Sequence, residues 1–248
     1  MLRHVSPFSL LTEHEFNALT PCMKRRAYSD GASIVCANEH PEGVHFILSG
    51  RVVVLMENQD ARAYIVGTLG RNDFFGETCL FSGGPSRISV KAKEACQTLY
   101  IPRKRLLEQL QHNSRFASYV LEGALTRLDE AHHKLEALAL MTVHERVARI
   151  LIDTAEHVKG TWLVRSGTET IAGMVGASRE MVSRVLRQMI ESGAVRRDKR
   201  LLFVTDPGLI AEAAATPNVR NARLDSAPAQ ALGSRTTQFR RALWRRSK

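Results

Sequence analysis

A short segment in the C-terminal part of the chain constrains the fold most, because it contains two amphipathic helices joined by a glycine turn. Thr168 is a favourable N-cap for the first helix, and Gly176 permits the tight turn that follows it. Ser178 is placed to cap a second helix over Arg179–Glu191, in which apolar side chains recur on one face. Gly193 follows as a C-terminal cap. The pattern predicts a helix-turn-helix unit.

The outward face of the second helix carries side chains suited to DNA. In such units the N-terminal residues of the second helix enter the major groove. Arg179 and Arg184 can each donate two hydrogen bonds to guanine, and Glu180 can accept one from cytosine. The alternative is a packing unit with a solvated charged face. The predicted DNA-binding residues are Arg179, Glu180, Ser183, Arg184, Arg187, Thr168 and Ser178.

A short hairpin follows the second helix. The runs Ala194–Arg197 and Leu201–Thr205 read as two strands, and Asp198, Lys199 and Arg200 form the turn between them. Basic residues at such a tip can contact backbone phosphates without reading the bases. We therefore expect a wing beside the helix-turn-helix.

The chain up to about residue 110 is mostly β-structure. Short apolar runs separated by glycines are typical of an antiparallel roll or barrel. A short helix over Thr12–Leu19 precedes them, with Thr12 and Glu15 forming a capping box. The runs are Val44–Leu48, Val52–Met56, Tyr64–Leu69, Ile88–Val90 and Leu99–Ile101.

A long helix is predicted from Ser114 to Leu140. Apolar positions spaced by four and three residues form a coiled-coil seam, and the opposite face is polar. We favour a dimer helix over a core helix packed on its own domain, because that polar face is strongly charged. The seam residues are Leu121, Leu125, Leu128, His132, Leu135 and Ala139, and the polar face carries Arg127, Asp129, Glu130, Lys134 and Glu136.

A second capping box, Thr142 with Glu145, ends the long helix and starts another over Val143–Val158. The break makes a natural hinge between a sensor and a DNA-binding part.

The formal charge of +10 favours a polyanionic partner. Most of the excess lies in residues 216–248, which hold eight basic residues and one acid and have the composition of a disordered tail. Neither a membrane-spanning run nor a secretory signal is visible, so we expect a cytoplasmic protein. The four cysteines form no metal-binding pair, and no catalytic motif is present, which argues against an enzyme.

The run Ile171–Leu186 resembles the recognition segment of the Crp/Fnr regulators, and Phe74–Arg87 resembles that family's phosphate-binding cassette. The resemblance covers about residues 8–208 and implies an α+β fold. Residues 1–112 are then a β-roll like a cyclic-nucleotide-binding domain, 113–140 a dimerisation helix, 141–208 a winged helix-turn-helix and 209–248 a basic tail. It also implies a palindromic operator with GTGA-type half-sites, since Arg179, Glu180 and Arg184 match the residues that read them, and contact with RNA polymerase.

The effector of the roll stays open. Counting back from Val90 puts Ser86 where nucleotide-binding members have arginine, and Ala131 and His132 stand where those members have hydroxyls near the adenine. A cyclic nucleotide, a cyclic dinucleotide and no ligand are the alternatives, and Glu77 either contacts a ribose or pairs with Arg87. Haem on His132 is less favoured than a polar residue that sets the helix register. The candidate effector residues are Gly76, Glu77, Thr78, Ser86, Arg87 and His132.

These features together predict a homodimeric, sequence-specific DNA-binding transcription regulator. The alternative is a cyclic-nucleotide-binding signalling module with an output other than DNA.

Overall fold

The computed structural model describes residues 7–58, 63–81, 84–158, 160–199 and 201–215. The chain divides into two compact units, Met1–His132 and His133–Lys248. The predicted basic tail from residue 216 onward lies outside the described residues.

The first unit is the predicted antiparallel roll. Two four-stranded sheets have the orders β1-β8-β3-β6 and β2-β7-β4-β5. The strands are β1 (Lys24–Tyr28), β2 (Ser33–Val35), β3 (Gly43–Ser49), β4 (Val52–Glu57), β5 (Ala63–Leu69), β6 (Phe74–Phe75), β7 (Ser89–Ala92) and β8 (Cys96–Pro102). The helices are α1 (Glu13–Leu19), α2 (Thr78–Phe81), α3 (Arg103–His112) and the start of α4 (Ser114–Leu140).

Buried side chains of the roll anchor the start of the long helix. Consecutive residues of β3, β7 and β8 are buried, so both faces of these strands are covered. Phe116, near the start of α4, packs on Phe46 of β3 with ring centroids 6.2 Å apart. The first turns of α4 are therefore anchored to the roll. Asn113 caps that helix by accepting a hydrogen bond from the Phe116 amide at 2.8 Å.

The second unit is a winged helical domain. Its elements are α5 (Val143–Thr154), β9 (Glu156–Val158), β10 (Thr161–Val164), α6 (Thr168–Val175), α7 (Arg179–Glu191), β11 (Val195–Asp198), β12 (Leu201–Val204) and α8 (Pro207–Ala215). The four strands form one antiparallel sheet in the order β11-β12-β10-β9. Both predicted capping boxes are present, on Thr12 and on Thr142.

Three boundaries differ from the sequence-based expectations. The helix expected over Val143–Val158 ends at Thr154, because the last residues pair as β9 with β10 around Gly160, whose φ is 82°. The folded domain does not end at residue 208: α8 continues to Ala215 and buries Ile210 in the core. Thr168 is the first residue of α6 and not its N-cap, which is Gly167.

In the described part of the chain, none of the helices is both long enough and hydrophobic enough to span a membrane.

Candidate DNA-binding surface and effector cavity

The helix-turn-helix is built by α6, a three-residue turn and α7. Gly176 caps α6 in the left-handed conformation, with φ 68° and ψ 41°. The Ser178 hydroxyl then accepts a hydrogen bond from the Met181 amide at 3.2 Å, as the predicted N-cap of α7. Val182 and Leu186 of α7 are fully buried in the same core as Ile171 of α6. This packing fixes which face of α7 points outward.

The outward face of α7 is charged and available. Arg179, Glu180, Arg184 and Arg187 are exposed, and Ser183 is half-buried. Within the part of the chain that the structure describes, none of the four charged side chains forms an ion pair. The two candidate base-reading arginines therefore lie on the surface and not in the interior. Among the described residues they have no ion-pair partner to give up before meeting DNA.

The wing is a tight hairpin beside α6. β11 and β12 pair from Val195 to Asp198, and Lys199 at the tip has a φ of 52°. Arg197 donates a hydrogen bond to the Thr168 hydroxyl at 3.2 Å, so the wing is tied to the first residue of α6. Arg200, the other predicted basic tip residue, lies outside the described residues.

Arg146 of α5 is a structural residue that sequence reasoning missed. Its Nε donates to the Val175 carbonyl at 3.0 Å, and its Nη1 donates to the Met141 carbonyl at 2.8 Å. These carbonyls belong to the last turn of α6 and to the residue after α4, where no helical amide is available. The guanidinium therefore joins the predicted hinge to the helix-turn-helix. Its position one residue after the Thr142 capping box was the only available sequence signal.

Apolar side chains along α4 are exposed in the single chain. The exposed fractions are 59% for Leu121, 53% for Leu125, 51% for Leu128 and 64% for Leu135. His132, in the same predicted seam, is also exposed. Contiguous exposed apolar surface of this kind marks an interaction site.

A cavity of about 1010 Å³ lies within the first unit, between the roll and α4. Its walls are mainly apolar: Val54, Val66 and Leu69 line it from β4 and β5, and Ala117, Val120 and Ala124 line it from α4. Leu121 and Leu128 of the predicted seam also line it. This is where an effector of the roll would lie.

The charged pair in the cavity wall is not the one expected. Arg127 Nη2 lies 2.9 Å from Glu77 Oε1, in an ion contact without a well-directed hydrogen bond. The same guanidinium donates to the Phe74 carbonyl at 3.2 Å and lies over the Phe74 ring at 4.4 Å. Glu77 therefore pairs with Arg127 and not with Arg87, and Arg127 does not belong to the solvated polar face to which we assigned it.

The candidate effector residues separate into two groups. Glu77 and Thr78 line the cavity, and Gly76 precedes them with a φ of 91°, where an added Cβ would lie 2.7 Å from the Gly43 carbonyl oxygen. Ser86, Arg87 and His132 do not line it. Ser86 is buried and donates a hydrogen bond to the Ile88 carbonyl at 2.7 Å, whereas Arg87 is exposed.

His45 is a buried titratable residue that the sequence did not single out. It is 4% exposed on β3, hydrogen-bonded to the Thr98 hydroxyl at 3.0 Å and stacked on Phe75 with ring centroids 4.8 Å apart. Burial, and secondarily the charge of Arg26, lowers the pKa of His45 from 6.5 to about 4. The imidazole is therefore neutral at physiological pH. Among the described residues, no three histidine, cysteine or acidic side chains are grouped as a metal site would need.

Two family models match the two units. Residues 25–113 match the cyclic nucleotide-binding domain, and residues 145–212 match the Crp-like helix-turn-helix domain. The second match includes the first part of α8 and extends beyond residue 208, in agreement with the structure.

The chain aligns with two curated relatives over most of their length. The cAMP-activated global transcriptional regulator Vfr of Pseudomonas aeruginosa is 34% identical over 202 residues, covering 77% of this chain and 94% of the relative. The cAMP-activated global transcriptional regulator CRP of Pasteurella multocida is 29% identical over 184 residues, covering 71% of this chain and 88% of the relative.

Two solved structures share the fold. The c-di-GMP responsive global regulator CLP of Xanthomonas campestris superposes with a TM-score of 0.69 at 22% identity, covering 79% of this chain and all of that one, 100%. A Crp/Fnr-family transcriptional regulator of Thermus thermophilus superposes with a TM-score of 0.63 at 20% identity, covering 78% of this chain and 100% of that one. At these identities the likeness concerns the fold alone.

Proposed function

Because the chain belongs to the Crp/Fnr family of transcription regulators, we propose that it binds a palindromic operator with GTGA-type half-sites as a homodimer. The Crp-like helix-turn-helix makes it a DNA-binding regulator. The observation that carries the finer proposal is the outward face of α7, where Arg179, Glu180 and Arg184 are exposed and have no ion-pair partner among the described residues.

Each exposed group has a defined partner in the major groove. A guanidinium donates two hydrogen bonds to O6 and N7 of guanine, and a carboxylate accepts one from the amino group of cytosine. An acid among basic residues favours base recognition over general attraction to phosphate, since Glu180 would otherwise face the DNA charge unfavourably. We assign phosphate contacts to Lys199 at the wing tip and to the exposed Arg187 further along α7.

The exposed leucines of α4 support the homodimer. A two-fold symmetric pair buries the same face of both copies, which is the simplest way to cover an apolar stripe that one chain leaves in water. For both copies of α7 to enter the major groove on one side of the duplex, such a dimer must hold them about one DNA turn apart, roughly 34 Å. The palindrome follows from this symmetry.

Fluorescence anisotropy with a labelled palindromic duplex tests base reading. Arg179→Ala should weaken binding by about 1–3 kcal/mol per half-site and lower the preference for GTGA over a scrambled half-site. Lys199→Ala is the matched control, since loss of a phosphate contact should weaken binding to both duplexes equally. An Arg179→Ala variant that loses the same affinity on both duplexes would refute base reading by this residue. A wild-type chain that binds neither duplex would favour the signalling module with a non-DNA output.

We further propose a cytoplasmic location and a contact with RNA polymerase, and we assign no enzymatic activity. The two curated relatives are transcription regulators. In vitro transcription from a promoter carrying the operator tests the polymerase contact: a change in transcript level that needs the operator supports it, and an unchanged level contradicts it.

A further inference from the structure

The cavity in the roll does not fit the ligand that its domain class implies. A cyclic nucleotide carries a phosphodiester charge, and burying that charge requires a cation or several hydrogen-bond donors beside it. In the part of the chain that the structure describes, Arg127 is the only arginine or lysine that lines the cavity. His112 also lines it, but at the exposed rim, with Nδ1 hydrogen-bonded to the Glu108 carbonyl.

Arg127 is already neutralised. Its guanidinium contacts Glu77 at 2.9 Å, the Phe74 carbonyl at 3.2 Å and the face of the Phe74 ring. A phosphate placed against it would also lie beside the Glu77 carboxylate, so one negative charge would remain without a partner. The arginine of the cassette, Arg87, is exposed and outside the lining.

Three positions that correspond to polar partners of a nucleotide, Ser86, Ala131 and His132, also lie outside the cavity. Ser86 donates its hydroxyl to the Ile88 carbonyl. Ala131 and His132 are exposed and do not line the cavity. The helix that begins after Glu77, α2, has only four residues, so it offers little dipole to an anion.

The cavity is nevertheless large and apolar. Its volume of about 1010 Å³ is at the upper end of the range for small-molecule sites, roughly 300–1,000 Å³. Strand side chains such as Val66 and Leu69 face helix side chains such as Ala117 and Ala124 across it. Such walls gain from removing apolar ligand surface from water. Apart from Glu77, Arg127 and His112, the polar side chains among them are uncharged: Thr78, Gln111, Ser114 and Ser118.

We propose that this cavity binds an uncharged, largely apolar small molecule, and neither a cyclic mononucleotide nor a cyclic dinucleotide. The inference rests on the proposed function, in which the roll is the effector-binding unit of a DNA-binding regulator. It assigns to this chain a ligand class that differs from the cyclic AMP of the two curated relatives.

The test uses the full chain and N-phenyl-1-naphthylamine, an uncharged apolar dye whose fluorescence rises when it leaves water. We expect saturable binding of one dye per chain. Neither cyclic AMP nor cyclic di-GMP should displace it, and neither should give heat in a calorimetric titration with the wild-type chain. Displacement by either nucleotide, or nucleotide binding heat at one molecule per chain, would overturn the proposal.

Two variants locate the dye, each filling the cavity from a different wall: Ala124→Phe on α4 and Val66→Phe on β5. Each should weaken dye binding at least tenfold while keeping the wild-type melting temperature by circular dichroism. Met56→Ala is the matched control, since Met56 lies on β4 outside both the cavity and the predicted seam and is 49% exposed. It should keep the dye site, which separates cavity binding from adsorption to an exposed apolar side chain.

Unchanged dye affinity in the filled variants, or loss of dye binding in the Met56→Ala control, places the dye on the protein surface and overturns the assignment. The operator assay is independent of these readouts. A chain that binds the dye in the cavity but binds no DNA contradicts the proposed function and leaves the ligand class standing. A chain that binds the operator and also binds cyclic AMP supports the proposed function and contradicts the proposed ligand class.

Discussion

The buried imidazole of His45 should make the stability of the roll depend on pH between 7.5 and 5. In the unfolded chain this histidine titrates with its ordinary pKa of 6.5, whereas in the folded roll burial lowers the pKa to about 4. Above about pH 7.5 both states carry a neutral ring and the pH has no effect. As the pH falls below 6.5 the unfolded chain takes up a proton that the folded roll does not, so the folded state loses stability.

The magnitude follows from the two pKa values. One unit of pKa difference corresponds to about 1.36 kcal/mol, so the free energy of unfolding should fall by about 2 kcal/mol between pH 7.5 and pH 5. The full loss, roughly 3 kcal/mol, is reached only below pH 4, where the folded state also accepts the proton. A loss of this size is a large fraction of the stability of a small domain.

The assay is urea unfolding at several pH values, followed by the near-ultraviolet circular dichroism of the tyrosines. All four tyrosines, Tyr28, Tyr64, Tyr100 and Tyr119, belong to the first unit, so their signal reports on the roll. His45→Gln removes the titrating group and keeps an amide that can bond to the Thr98 hydroxyl. Its unfolding free energy should therefore change with pH by about 2 kcal/mol less than that of the wild type over the same interval.

His40→Gln is the control, since His40 is exposed and its replacement should leave the wild-type pH dependence in place. The reasoning is refuted if His45→Gln shows the same pH dependence as the wild type. A histidine ring resonance assigned to His45 that titrates near pH 6.5 in the folded protein would refute it as directly.

Three further predictions concern the helix surface, the hinge and the cassette. Leu125→Glu should shift the chain from dimer to monomer in sedimentation velocity, whereas Thr126→Glu, one residue off the seam, should leave the dimer intact. If both variants remain dimers, the proposed interface is wrong. Arg146→Met should lower the unfolding free energy of the second unit by about 2 kcal/mol, since two charge-assisted hydrogen bonds are lost. Arg149→Met, which breaks only a surface pair with Asp153 at 4.0 Å, should lower it by less than about 1 kcal/mol. Equal losses of the two variants in urea unfolding would exclude the bridging role of Arg146. Gly76→Ala should cost about 1–3 kcal/mol, because its φ of 91° and the Gly43 carbonyl oxygen exclude a side chain, whereas Gly67→Ala, with open space around it, should melt within a few degrees of the wild type.

Local signals were sufficient where a short stretch of sequence determines the structure. The helix predicted over Ser114–Leu140 has those bounds in the structure, because Asn113 caps one end and the Thr142 capping box starts a new helix at the other. The Ser178 cap and the glycine turn at Gly176 were confirmed for the same reason. Each depends on residues within four positions of one another.

Long-range contacts were not predictable in this way. Periodicity placed Arg127 on the polar face of α4, but its partners, Phe74 and Glu77, are about fifty residues earlier in the chain. The strands β9 and β10 are only three and four residues long and gain their pairing from the rest of the sheet. The missed helix α8 did have a local signal, since Asp206 caps it through its carboxylate and Pro207 occupies the first position.

Leu121 and Leu128 line the cavity and also belong to the exposed stripe on α4. If two chains pair along α4 as proposed, a molecule inside the roll would touch the same two side chains that the second subunit covers from outside, so occupancy and self-association would be thermodynamically coupled. The apparent affinity for the small molecule would then vary with the concentration of the regulator. A cell that makes more of this protein would thereby change the effector level at which its genes respond.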